Sequence, residues 1–168
     1  NHDGVQDFLL TDARLPRRHK LYQGDAQGRF KDVGEALGFT PENVFIATWV
    51  DIDGDGWEDV VVNSGQIFRN LQGEKFKEVT SQSNLMEVGD LQRLGAFTYH
   101  AVADYDGDGR MDIYLFRVDS QPFKGTWIDG KVGHNAGNQL LRNKGDWQFE
   151  DVTEKTRTAG GMRSPFSS

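Results

Sequence analysis

The nine-residue string Asp-x-Asp-Gly-Asp-Gly-x-x-Asp occurs twice, at 51–59 (DIDGDGWED) and 104–112 (DYDGDGRMD). It constrains the fold more than any other feature of the chain. Each copy runs directly into β-prone residues, Val60-Val61-Val62 and Ile113-Tyr114-Leu115-Phe116. The first ten residues, NHDGVQDFLL, fit the same template from its third position onward. That register places Asn1, Asp3, Gly4 and Asp7 at positions 3, 5, 6 and 9, with Phe8-Leu9-Leu10 as the strand. A loop that recurs in phase with strands points to a repeat architecture.

A second unit follows each loop. Segments 21–30 (LYQGDAQGRF), 67–76 (IFRNLQGEKF) and 140–149 (LLRNKGDWQF) align without a gap, and each is followed by a charged pair and then Val33, Val79 or Val152. An apolar start, a polar glycine-bearing turn and an aromatic return is the pattern of a β-hairpin. Phe76 and Val79 lie three apart and cannot share a face of one regular strand, so the return strand is expected to bulge or end between them. Ahead of the complete loops, 44–50 and 97–103 are apolar or small at most positions and read as strands buried on both sides. Glu35-Ala36-Leu37 and 83–94 have room for a helical turn, but neither sustains a helical period.

The expected fold is therefore all-β: about three four-stranded blades of a β-propeller, at 1–34, 44–80 and 97–153, with 154–168 leading into a further repeat. The distance from loop position 9 to the hairpin is 14, 8 and 28 residues in successive copies, which puts a long insertion at 118–138. Three blades cannot close a ring. Applying the Val33-to-Asp51 spacing of 18 to Val152 places the next loop near position 170, so the segment reads as part of a longer protein.

Calcium takes 6 to 8 oxygen ligands and suits a loop that presents side chains at alternate positions around a sharp glycine turn. Asp51, Asp53, Asp55 and Asp59 supply positions 1, 3, 5 and 9, with the carbonyl of Trp57 at position 7. Asp104, Asp106, Asp108 and Asp112 repeat the set with Arg110 at position 7, and Asn1, Asp3, Val5 and Asp7 form a partial third site. Position 6 is Gly4, Gly56 or Gly109, as a site of positive φ requires, while positions 7 and 8 vary freely. An EF-hand needs a carboxylate at position 12 and flanking helices; here position 12 is Val62 or Leu115 within β-prone runs. The metal-free alternative, simple Asx turns, leaves four mutually repelling carboxylates unexplained.

These loops, with the Arg69-Asn70 and Arg142-Asn143 hairpins and the ending FEDVT at 149–153, resemble the FG-GAP or VCBS repeats of integrin α-subunit heads and of bacterial secreted proteins, including the ASPIC/UnbV type. The resemblance implies calcium-binding blades of a propeller, usually seven in the integrin-like form. The first copy departs from it, with Tyr22-Gln23-Gly24 in place of the Arg-Asn hairpin, and the integrin wording is faint in Leu94-Gly95-Ala96.

Composition narrows the function. Nineteen basic against 26 acidic residues, a net charge of −7, argue against a nucleic-acid partner. No apolar run reaches membrane-spanning length, and the absence of cysteine removes disulfides and thiolate chemistry. No hydrolase signature accompanies the scattered His2, His19, His100 and His134. His100 reads as a core or channel-lining residue. The basic cluster Arg14, Arg17, Arg18, His19 and Lys20 reads as a solvated loop or an anion contact. The 118–138 insertion, with Phe123, Trp127, Asp129 and His134, is either a recognition surface or packs on its own blade. Two classes remain: a non-catalytic, extracellular or periplasmic module that recognises or scaffolds protein or glycan and joins further blades of its own protein or a neighbouring subunit, and a fragment of a propeller enzyme such as a polysaccharide lyase or a subunit of a larger extracellular enzyme assembly.

Overall fold

The computed structural model describes residues 1–11, 19–41, 44, 46–89, 97–118 and 138–158. They form three antiparallel sheets. The first has the order β1-β2-β3, from β1 (Phe8–Leu10), β2 (Lys20–Gly24) and β3 (Phe30–Asp32). The second has the order β4-β5-β6-β7, from β4 (Ala47–Val50), β5 (Asp59–Val62), β6 (Ile67–Leu71) and β7 (Lys75–Glu78). The third pairs β8 (Phe97–Ala103), β9 (Asp112–Val118), β10 (Gln139–Gly145) and β11 (Gln148–Asp151) in the same sequential order. Single helical turns, α1 (Leu85–Val88) and α2 (Thr153–Thr156), follow the second and third sheets.

The hairpin register explains the recurring valine. Val33, Val79 and Val152 each lie just past the end of the return strand, and each donates its N–H back to the carbonyl of Leu21, Ile67 or Leu140, at 2.8, 2.9 and 3.0 Å. Ending β7 at Glu78 frees Val79 to turn inward, which resolves its spacing from Phe76.

One expectation needs correcting. The strands ahead of the loops are not buried on both sides. β4 begins at Ala47, later than expected, and Trp49 and Tyr99 are exposed. Among the described residues both β4 and β8 are edge strands with one bonded neighbour, so part of each backbone stays open, although Val50 and Ala47 of β4 still reach the two cores. Burial on both sides falls instead on β5, all four of whose residues are buried, and on the start of β6, where Ile67 and Phe68 enter different cores. Side chains alternate across a strand, so Val60 and Val62 enter a core with Leu21, Val33, Phe39 and Phe68, while Val61 enters a second core with Ile52, Ile113, Leu115 and Phe149. An unbroken valine run therefore marks a strand packed between two sheets.

Polar stitches reinforce both junctions. Phe76 donates its N–H to the Leu37 carbonyl at 2.6 Å, and Phe39 sits edge-on to the rings of Phe68 and Phe76. Between the second and third sheets, the Asn84 amide bonds both backbone groups of Phe149, at 2.8 and 2.9 Å. The 119–137 part of the insertion, Arg14, Arg17, Arg18 and 159–168 lie outside the described residues.

Candidate metal centre

Each acidic loop is organised by its own backbone. The first aspartate gathers the amides ahead of it. Asp51 Oδ1 accepts from Gly54 and Asp55 at 2.9 and 3.1 Å, and Oδ2 accepts from Gly56 at 2.9 Å. Asp104 repeats the pattern with Gly107, Asp108 and Gly109 at 2.8, 3.0 and 2.9 Å. Position 5 accepts from the amide at position 7: Asp55 from Trp57 at 3.0 Å, Asp108 from Arg110 at 3.0 Å, and Asp3 from Val5 at 2.8 Å. Only a left-handed backbone lets these amides converge, and Gly4, Gly56 and Gly109 have φ of 81°, 89° and 85°. Position 4 is left-handed too, at Gly54 (75°), Gly107 (74°) and His2 (55°). The second requirement was readable in the glycines but was masked by His2.

Position 9 braces the loop against the sheet. Asp59, fully buried, accepts from Asn70 N–H at 2.8 Å and from Ile52 N–H at 3.1 Å. Asp112 accepts from Asn143 and Tyr105 at 2.8 and 3.1 Å, and Asp7 accepts from Gly24 at 3.0 Å. Desolvation pushes the Asp59 carboxyl up to about 7, against the pull of its two backbone donors. Burial likewise raises Asp53 and Asp112. A buried anion held this way is stabilised by a cation within reach.

Each loop brings three of its four carboxylates together, at positions 1, 3 and 9 in the first and 1, 3 and 5 in the second, with Asp55 and Asp112 outside these clusters. Oxygens of Asp51, Asp53 and Asp59 lie within 4.8 Å of one another, as do those of Asp104, Asp106 and Asp108. An all-oxygen set of this kind suits a hard divalent ion. The position-7 side chains carry no oxygen, which leaves only their carbonyls as ligand candidates. Trp57 stacks on His2 at 4.0 Å, and Arg110 Nε donates to the Asn143 carbonyl at 3.0 Å. The N-terminal copy offers two carboxylates, Asp3 and Asp7, besides the Asn1 amide, which donates to Asp3 at 2.9 Å.

Two arginines that the hairpin alignment exposed but did not connect to the loops complete the arrangement. Arg69 Nε lies 2.7 Å from Asp53 Oδ2, and its Nη2 donates to Asp55 Oδ2 at 3.0 Å. Arg142 spans Asp106 and Asp108 in the same way, at 2.7 and 2.9 Å. Desolvation pulls Asp108 upward. The Arg110 amide and the Arg142 and Arg110 guanidiniums outweigh it and hold the carboxyl below its usual range. Arg110 also pairs with Asp108 through Nη2.

Other candidates stay apart from these loops. His100 has both ring nitrogens shielded and without a partner among the described residues, and burial lowers its pKa to about 4, which leaves it neutral. His19 sits edge-on to Phe39, while Lys20 pairs with Asp32 at 2.5 Å.

Residues 1–62 match the family model described as FG-GAP-like repeat. The chain is also 28% identical over 151 residues to cartilage acidic protein 1 of Mus musculus; the match covers 76% of this chain and 23% of that protein's length.

Proposed function

We propose, for a chain whose first 62 residues match the FG-GAP-like repeat model, that it forms calcium-binding blades of a β-propeller serving recognition outside the cytoplasm. One observation carries this reading: two loops of identical pattern converge three carboxylates each within 4.8 Å, with their backbone amides consumed in shaping the turn. Bound there, calcium supplies charge that offsets the buried and repelling carboxylates. Asp51, Asp53, Asp55 and Asp59 hold one ion with the Trp57 carbonyl, and Asp104, Asp106, Asp108 and Asp112 hold a second with that of Arg110. Asn1, Asp3, Val5 and Asp7 contribute to a third.

The open flanks favour further blades. Val60 and Val62 are fully buried against the first sheet, whereas their counterparts Phe8 and Leu10 are exposed. Ile52 is 2% exposed against the third sheet, whereas its counterpart Tyr105 is 41% exposed. The flanks that pack on each other twice inside the chain thus recur uncovered at its two ends among the described residues. Additional repeats cover them in this reading, and variable connections such as 118–138 contact a protein or glycan ligand. Calcium of extracellular abundance suits loops of this open type. Among the described residues no helix is long and apolar enough to cross a membrane.

Calorimetric titration with Ca²⁺, paired with melting curves in chelator, tests the reading. Binding at two or more sites with a higher Tm in calcium is the expected result. Absence of both a binding heat and a change in Tm would refute it.

A further inference from the structure

We propose that Arg69 and Arg142 are positioning residues that serve as built-in counter-ions, holding the position-3 and position-5 carboxylates of each loop together until a divalent cation takes over that charge. The inference rests on the calcium reading for its second half only. Each guanidinium pairs with two aspartates, hydrogen-bonded through Nη2 to position 5 and in ion-pair contact through Nε, without a hydrogen bond, to position 3, and the distances in the two loops agree to 0.1 Å. A single hairpin-to-loop strut needs one such contact.

The first repeat supplies an internal control. Gln23 occupies the arginine position: it pairs across its hairpin with Lys31 as Arg69 pairs with Lys77 and Arg142 with Glu150. Where the cation is missing, the position-3 carboxylate is missing too, because that residue is Asn1. The Asn1 amide donates to Asp3 Oδ2 at 2.9 Å, the same oxygen of the position-5 aspartate that Arg69 and Arg142 approach at 3.0 and 2.9 Å in the other repeats. Carboxylate and guanidinium therefore appear together or are replaced together by two amides. A contact kept only for hairpin shape has no reason to follow the charge of position 3. The bridging oxygens are Oδ2 in all four aspartates, which leaves the Oδ1 atoms of Asp53 and Asp106 free of the arginines.

The two complete loops are not equally compensated. Asp51, Asp53, Asp55 and Asp59 face one arginine, whereas Asp104, Asp106, Asp108 and Asp112 face Arg142 together with Arg110. Loss of Arg69 should therefore disturb its loop more than loss of Arg142 disturbs the other.

Hydrogen exchange of the loop amides in the whole protein tests this locally, in chelator and in excess calcium. The variants are R69Q, D53N, D53N/R69Q and R142Q. In chelator, R69Q should speed exchange at Gly54, Asp55 and Gly56 by about fivefold, the order expected of a partly exposed, charge-assisted contact. Calcium should restore R69Q to within twofold of the wild-type rate. D53N/R69Q, which recreates the amide pair of the first repeat, should exchange more slowly than R69Q in chelator, and it decides the matter if R69Q alone does not hold its fold there. R142Q should show the smaller effect at Gly107, Asp108 and Gly109. Equal acceleration of R69Q with and without calcium would mark a plain structural strut and overturn the proposal, as would a double variant no slower than R69Q. Should calcium leave the wild-type loops unchanged, the metal reading falls, while the chelator comparison of R69Q with D53N/R69Q still decides the counter-ion role.

Discussion

Replacing Asn143 by alanine should cost far more than the same change at its counterpart Asn70. Asn143 is fully buried, and its side-chain amide donates to the Ile52 carbonyl of the neighbouring repeat at 2.9 Å and to the Met111 carbonyl at 3.1 Å. Its Oδ1 accepts from Gly145 N–H at 2.9 Å. Truncation leaves one wholly buried carbonyl and two half-buried groups without these partners. At about 1–3 kcal/mol for a buried group, and less where water reaches, the sum is about 3 kcal/mol. Asn70 bonds only within its own repeat, to the Glu58 carbonyl and Gly73 N–H, both half-buried, so its truncation should cost about 1 kcal/mol. Urea unfolding in saturating calcium measures both, and the corresponding falls in Tm are about 6–12 °C and 2–4 °C. If the two variants agree within about 0.5 kcal/mol, the bond between sheets contributes nothing beyond the local turn, and the reasoning fails.

Gly38→Ala should destabilise by about 2 kcal/mol, because φ is 76° and a Cβ would lie 2.9 Å from the Phe76 carbonyl oxygen; Gly28→Ala, at φ 74° in open space, should lose only the backbone part, about 1 kcal/mol, as melting curves of the pair would show. Stability should also depend on pH in opposite senses with and without calcium. The Asp59 carboxyl titrates near 7 when folded, above its ordinary value of 3.8, so the folded chain binds a proton that the unfolded chain releases between those limits. In chelator the stability tied to Asp59 is present at the low end of that window and is lost as pH rises through about 7. In calcium the ionised carboxylate is required, so acidification is destabilising. Melting temperatures at pH 6 and pH 8, each referred to D59N, should reverse sign on adding calcium; equal slopes would contradict the assignment.

The sequence made the repeat legible because its constraints are local. A loop whose amides must converge needs glycine at position 6, and the three hairpins recur with their closing valines, so alignment within the chain finds both. Burial was less legible, since composition cannot distinguish a strand that lies between two sheets from one at an edge. Residues 97–103 are also apolar or small at most positions, yet Val60, Val61 and Val62 of β5 are buried on both faces whereas Tyr99 of β8 is exposed. Long-range polar ties were hidden for a similar reason. The Arg-Asn pairs were visible as a motif, but Asn143 acts on Ile52, 91 residues away, and Arg69 acts on a loop 14 to 16 residues earlier.

Position 2 of the loop shows how the candidate site and the fold depend on each other. Ile52 gives its N–H to Asp59, its carbonyl to Asn143 and its side chain to the core between the second and third sheets. Ile52 thereby ties the first loop to a junction between repeats. Tyr105 gives its N–H to Asp112 in the same manner, but its side chain is exposed. Charge compensation in loop 51–59 therefore bears on how two sheets pack through the loop's own position-2 residue, whereas loop 104–112 reaches the same junction only through Asn143, which binds Asp112 and the Ile52 carbonyl. That asymmetry follows from the stacking order rather than from the ligands, because the two loops present the same carboxylates at the same positions.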